Sequence, residues 1–131
     1  MPIVDMPLEQ LKTYQGTNPR PVDFDEYWER ALAEMRAVDS QIELVPSSFQ
    51  VPNAECFDLY FTGVKGARIH AKYVRPKHAI EPHPAVVMFH GYSGHAGDWS
   101  EKLAFASLGF SVLAMDCRGQ GELGRCRRGE G

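Results

Sequence analysis

The 131-residue sequence has no excess of positive charge: 14 lysines and arginines face 17 aspartates and glutamates, for a formal net charge of −3. Without a basic stripe, neither nucleic acid nor an anionic membrane is an expected partner. No apolar run approaches the ~20 residues of a membrane-spanning helix. The opening MPIVDMPLEQL has neither the charged n-region nor the continuous apolar h-region of a signal peptide. The expected location is therefore the cytoplasm. Cysteine is scarce, and the three residues Cys56, Cys117 and Cys126 are odd in number and lack metal-ligand spacing. That argues against a disulfide framework and a thiolate metal site, and reduced thiols are expected. Repeats and low-complexity tracts are absent. So is any G-x-S-x-G, the turn that carries a nucleophilic serine in many esterases.

What is present is globular. A chain that is 44% hydrophobic and 24% charged, at about one domain's length, can bury a core. Residues 1–40 read as an arm and a helix. A short helical turn is expected near Pro7–Tyr14, then a GTNPRP linker, then the segment DFDEYWERALAEMRAV. Asp23 can cap that helix, with Glu26 three residues on. Phe24, Trp28, Ala31, Leu32, Met35 and Val38 share one face, with Trp28 as a core or interface anchor. Residues 41–76 read as a β-hairpin region. Ile42–Val51 is strand-like but broken by Pro46. Cys56–Thr62 and Arg68–Val74 alternate about the turn GVKGA, placing Phe57, Leu59 and Phe61, and Ile69, Ala71 and Tyr73, on single faces.

After the Pro-rich PKHAIEPHP, residues 84–121 read as a βαβ unit. Ala85–Phe89 is a continuous apolar run of the buried parallel type. Trp99–Leu108 suits a helix ended by Gly109, and Phe110–Met115 is a second buried strand. Strand, loop, helix, strand predicts an α/β sheet.

Two segments carry candidate chemistry. FHGYSG begins at the carboxyl end of a strand, where open α/β sheets bind ligands. A glycine there, Gly91, allows a sharp turn that offers free N–H groups to an incoming oxygen. Ser93 reads as a solvated loop serine, since GYSGH is not a nucleophile elbow and no base is in view. His70, His78, His83, His90 and His95 form no triad pattern, and no ligand spacing recommends His90, His95 and Asp98 as a metal site. In MDCRGQGE, Asp116 ends a buried strand and Arg118 enters a turn punctuated by Gly119 and Gly121. The glycines permit positive φ, and the Arg118 donors can brace neighbouring loops.

On MPLEQLKTY, DFDEYWERAL, ECFDLYFTGVKGARIHAKYVRP, HGYSGHAGDW and MDCRGQG, the chain resembles carbohydrate esterase family seven, the acetyl xylan esterases and cephalosporin-C deacetylases. The resemblance reaches Gly121. It implies an α/β-hydrolase fold, here its N-terminal part and incomplete, and a Ser-His-Asp triad that deacetylates sugars and small acetyl esters. It also implies no metal or organic cofactor, and a cytoplasmic homo-oligomer. In the family the nucleophile, acid and base all follow RGQG, so none of the triad lies in this chain. By position, Tyr92 takes the oxyanion role through its backbone N–H. Gly91, Asp116, Arg118, Gly119, Gln120 and Gly121 support the floor of the site.

The expected activity is that of an acetyl esterase whose triad lies elsewhere. The alternatives are a non-catalytic binding module and one subunit of a split hydrolase. Residues 122–131 form an aberrant tail. LGRCRRGEG turns abruptly basic and loses all patterning, as expected of a frameshift. Deleting one nucleotide from one permitted back-translation of Leu123–Glu130 yields Ser-Glu-Asp-Val-Gly-Glu-Val, the kind of continuation the family has. The gene's alternative frame after Glu122 should then encode a G-x-S-x-G elbow.

Overall fold

The computed structural model describes residues 5–79 and 81–120. Contacts divide the chain into a unit through Ala33 and a unit from Glu34 onward. The tail at 122–131 and its frameshift reading lie outside the described residues, as does Gly121.

In the first unit, α1 is one turn, Leu8–Leu11. Helix α2, Phe24–Arg36, begins in this unit, and the Asp23 carbonyl accepts the Tyr27 N–H at 2.8 Å. Its aromatic residues cluster along the first turn. The Trp28 ring lies 5.6 Å from that of Tyr27 and 6.3 Å from that of Phe24. Arg20 pairs with Asp25 and covers the Phe24 ring.

The second unit is built on a five-stranded sheet in the order β1-β2-β3-β5-β4. Strand β1 is Glu43–Pro46, β2 Ala54–Thr62, β3 Arg68–Pro76, β4 Ala85–Phe89 and β5 Ser111–Met115. The pairs β1–β2, β2–β3 and β3–β5 are antiparallel, whereas β4 and β5 are parallel and joined by α3, Trp99–Ser107. This is the expected βαβ unit. Gly109 ends it at φ +88°, the left-handed conformation that stops a helix without a side-chain penalty.

Register fixes the faces. Phe57 pairs with Tyr73, Leu59 with Ala71 and Phe61 with Ile69, so the two alternating runs do share a face. The packed core lies on the opposite side. There Ala54, Cys56, Val74 and Val112 meet Ala106 of α3, with Val86, Met88, Leu103 and Phe105 around them. Trp99 stacks on Phe49 at 6.1 Å, closing one end. Along β2 and β3 that same face continues into Asp58, His70 and Lys72. His70 and Lys72 are buried and Asp58 is half-buried.

β4 carries β5 on one side, and among the described residues nothing pairs with its other edge. Val87 and Phe89 point to the face away from α3 and are 54% and 68% exposed. Cys56 and Cys117 are both free thiols. Among the described residues, no helix is long and apolar enough to cross a membrane.

Candidate active site

The segment His90–Asp98 leaves the carboxyl end of β4 and returns to start α3, so it sits on the rim where β5 also ends. Its shape is set by bonds to its own backbone and to the segment after β5. The His90 ring Nε2 accepts the Cys117 N–H at 2.9 Å, and its Nδ1 faces the Gly91 carbonyl at 2.7 Å. One nitrogen accepts and the other donates, which defines the neutral tautomer with the proton on Nδ1. The two strand ends are thereby tied together.

The turn itself differs from the expected one. Gly91 is not in the left-handed region, and a Cβ there would meet nothing within 4 Å. Ser93 makes the sharp bend instead, at φ +60°. Gly94 is the glycine that packing requires: its Cβ would lie 3.0 Å from both Cβ and Nδ1 of His90. The strained Ser93 is held from outside, because its N–H donates to Gln120 Oε1 at 3.0 Å. Gln120 is placed by a turn in which its N–H reaches the Cys117 carbonyl and Gly119 takes φ +78°. Arg118 reaches the other way, donating from Nη1 to the Val64 carbonyl in the β2–β3 turn at 3.3 Å.

Between these supports, Tyr92 projects with 95% of its surface exposed. Among the described residues, its N–H has no acceptor. A cleft of about 290 Å³ opens beside the segment, lined by Phe89, His90, His95, Ala96 and Lys102 among others. An N–H without an acceptor at a strand's carboxyl end is the geometry in which a developing oxyanion is stabilised.

Asp116 lies at the bottom of the arrangement and is buried. One carboxylate oxygen accepts the Ala96 N–H at 2.6 Å, and the other lies 2.7 Å from His70 Nδ1. His70 Nε2 in turn lies 2.9 Å from Asp58 Oδ1. The next two peptide groups are held by buried ammonium groups. Lys72 Nζ donates to the Gly97 carbonyl at 2.7 Å, and Lys102 Nζ to that of Asp98 at 2.9 Å. Three successive residues are thus fixed by three buried charged side chains from β3, α3 and the end of β5.

Sequence reasoning did not find Asp58, His70, Lys72 or Lys102. Their alternation with Val74 and Cys56 resembles a solvated strand face. The one usable signal was the opposition of Asp58 and Lys72 across the hairpin, which the register makes direct neighbours. Burial and the carboxylates of Asp58 and Glu43 push the Tyr60 phenol up, so it stands against His70 as a neutral ring, 5.2 Å away.

The histidines form no catalytic pair on this rim. His83 Nε2 lies 2.8 Å from Ser111 Oγ, but at the start of β5, the opposite end of the strand. Among the described residues, no three His, Cys, Asp or Glu side chains gather to hold a metal, and His90, His95 and Asp98 form no such cluster.

Residues 1–130 match the acetyl xylan esterase (AXE1) family. The chain belongs to that family. It is 65% identical to acetyl xylan esterase 1 from Thermoanaerobacterium sp. JW/SL YS485, with a TM-score of 0.85 over 89% of this chain. It is 35% identical to an acetyl xylan esterase from Paenibacillus sp. R4, with a TM-score of 0.79 over 90% of this chain. It spans only 37% and 38% of those two proteins. A curated relative, Dipeptidyl-peptidase 5 of Schizosaccharomyces pombe, is 30% identical over 97 residues, which cover 67% of this chain and 13% of that protein. The mixed sheet with its parallel β4–α3–β5 unit is consistent with an α/β fold.

Proposed function

We propose that this chain forms the oxyanion side of an acetyl esterase. Its substrates are acetylated sugars and small acetyl esters, including those of the cephalosporin-C deacetylase type, and its triad is supplied by sequence outside these 131 residues. In that scheme a serine attacks the acetyl carbonyl, a histidine takes the serine's proton, and an aspartate orients the histidine. The negative oxygen of the tetrahedral intermediate is met by the Tyr92 N–H. Gly91, Asp116, Arg118, Gly119 and Gln120 keep that donor in place. The chain works in the cytoplasm, within a homo-oligomer of complete subunits, and needs no metal or organic cofactor.

One observation carries the reading: among the described residues the Tyr92 N–H has no acceptor, while several amides that follow it are bonded. Three of the flanking positions are engaged, through Ser93 to Gln120, Gly94 to Gly91 and Ala96 to Asp116. Membership of the acetyl xylan esterase family supports the reaction class.

The test joins this chain, through Glu122, to the remaining portion of the 65%-identical Thermoanaerobacterium enzyme. Hydrolysis of a small acetyl ester is expected from the joined protein. Tyr92→Phe should leave it unchanged, because the donor is backbone. Tyr92→Pro removes the N–H, and loss of one oxyanion donor costs about 10²–10³ in kcat. A well-folded Pro variant as active as its parent removes Tyr92 from the mechanism.

A further inference from the structure

The buried group that the proposed chemistry leaves unexplained is His70. It lies on β3 with both ring nitrogens within hydrogen-bond distance of a carboxylate, Asp116 on one side and Asp58 on the other. An ionised carboxylate is an acceptor only, whereas a neutral imidazole has a single N–H. Two carboxylate partners are both satisfied only when the ring carries two protons.

The surrounding charges are compatible with the same state. On β3, Lys72 lies two residues along on the same face, directly opposite Asp58 of β2. Arg68, two residues the other way, is engaged by Glu43 of β1 and the Gln41 carbonyl. Tyr60 of β2 is an uncharged phenol. From the loop and α3 come His95, and Lys102 paired with Glu101. Asp58 is partly solvated, whereas Asp116 is the buried carboxylate that the ring faces directly. An imidazolium gives the buried Asp116 carboxylate a charged, hydrogen-bonded partner, as a buried charge needs.

We propose that His70 is a positioning residue: as an imidazolium donating to Asp58 and Asp116 at once, it fixes Asp116 so that its second oxygen holds the Ala96 amide and the loop that presents Tyr92. Asp116 is tied to His70 twice, since its own N–H donates to the His70 carbonyl at 3.0 Å. The carboxylate therefore has one orientation in which it serves both His70 and Ala96. The link to an oxyanion donor rests on the esterase reading above; the link from His70 to Ala96 does not.

The experiment uses the full ¹⁵N-labelled chain at neutral pH. A long-range ¹H–¹⁵N correlation spectrum, with the His70 signals assigned by their loss in His70→Gln, should show protons on both ring nitrogens. A ring with one bare nitrogen overturns the proposal. Amide exchange read by mass spectrometry supplies the second arm, and it tolerates association of the chain. Asp58→Asn, a mild change at a half-exposed site, removes the distal charge. It should return His70 to a single N–H and speed exchange at Ala96 at least tenfold, with the α3 amides unchanged. Unaltered Ala96 exchange together with a still doubly protonated ring would sink the idea. Neither readout uses catalysis, so an inactive joined enzyme would count against the esterase reading alone.

Discussion

At the scale of single residues, the two glycines bounding α3 do different work, and substitution separates them. Gly97 has φ +71°, and a Cβ there would meet Glu101 Oε2 at 2.5 Å and Lys102 Nζ at 2.9 Å. Gly109 has φ +88° but open space around it. Gly109→Ala should cost about 1 kcal/mol, the penalty of a left-handed alanine alone. Gly97→Ala should cost more, because a buried ammonium must also move, and denaturant midpoints of the two variants rank them. Cys56 adds a pH dependence. Burial pushes its thiol up, so in the folded chain it keeps its proton at pH values where the unfolded chain has lost it. That contribution to stability is complete below the ordinary thiol range and disappears as pH climbs through the raised folded value. Stability should therefore fall more steeply above about pH 8.5 in the parent than in Cys56→Ala. Parallel curves for the two proteins would refute this.

At the scale of elements, α3 has an unusual start. Its N-cap Asp98 makes no side-chain capping bond, and the Asp98 carbonyl is taken by Lys102, whose surface is 1% exposed. A cation near a helix N-terminus opposes the helix dipole, and here Glu101, 3.3 Å from the ammonium, offsets it. Lys102 thus fastens the loop to the helix rather than stabilising the helix itself. Lys102→Ala should cost about 2–4 kcal/mol by opening a cavity and orphaning the carbonyl. Lys102→Met also orphans the carbonyl but keeps the volume and drops the desolvation cost, so it should cost less than Lys102→Ala, about 1–2 kcal/mol. Equal losses in thermal melts would mean that charge, not volume, dominates.

Most elements were legible in the sequence. β4 was found to the residue because it is apolar throughout, and Gly109 marked the end of α3. The expected burial of β4 is not met: among the described residues nothing covers its second face, where Val87 and Phe89 are exposed. β2 begins two residues earlier than expected and β3 continues to Pro76, since Ala54 pairs with Pro76 across the hairpin. The site was legible only in part. HGYSG and RGQG announce themselves by glycine, but a solvated strand face and one buried under a distant loop look identical locally. His70 and Lys72 are bonded to Asp116 and Gly97, far along the chain, which no local periodicity records.

At the scale of the whole molecule, two features of the second unit point outward. The outer edge of β4 has no strand beside it among the described residues, and Val87, Phe89 and Leu108 are 54%, 68% and 76% exposed. A flat, apolar strand edge recruits further strands, and natural sheets blunt such edges with charge. The solved relatives are more than twice as long as the segment that matches this chain. We expect the isolated 131-residue protein to associate through this edge. On the proposal that the triad lies outside these residues, it should also show no turnover of a small acetyl ester; saturable turnover abolished by Ser93→Ala would reverse that expectation. Association can be tested by light scattering across a concentration series. Val87→Lys places a charge at the centre of the edge strand, on the face away from α3, and should shift the protein toward smaller species. The cleft beside His90 and the core of Cys56, Val74 and Val112 lie elsewhere, so near-ultraviolet dichroism from Trp99 should be unchanged. Leu113, the neighbour of Val87 in register, can be charged in the same way but sits inside the sheet, so it should damage folding before it affects association. A parent that is a monodisperse monomer at all concentrations, with a Val87→Lys variant identical to it, would mean that the β4 edge is already covered.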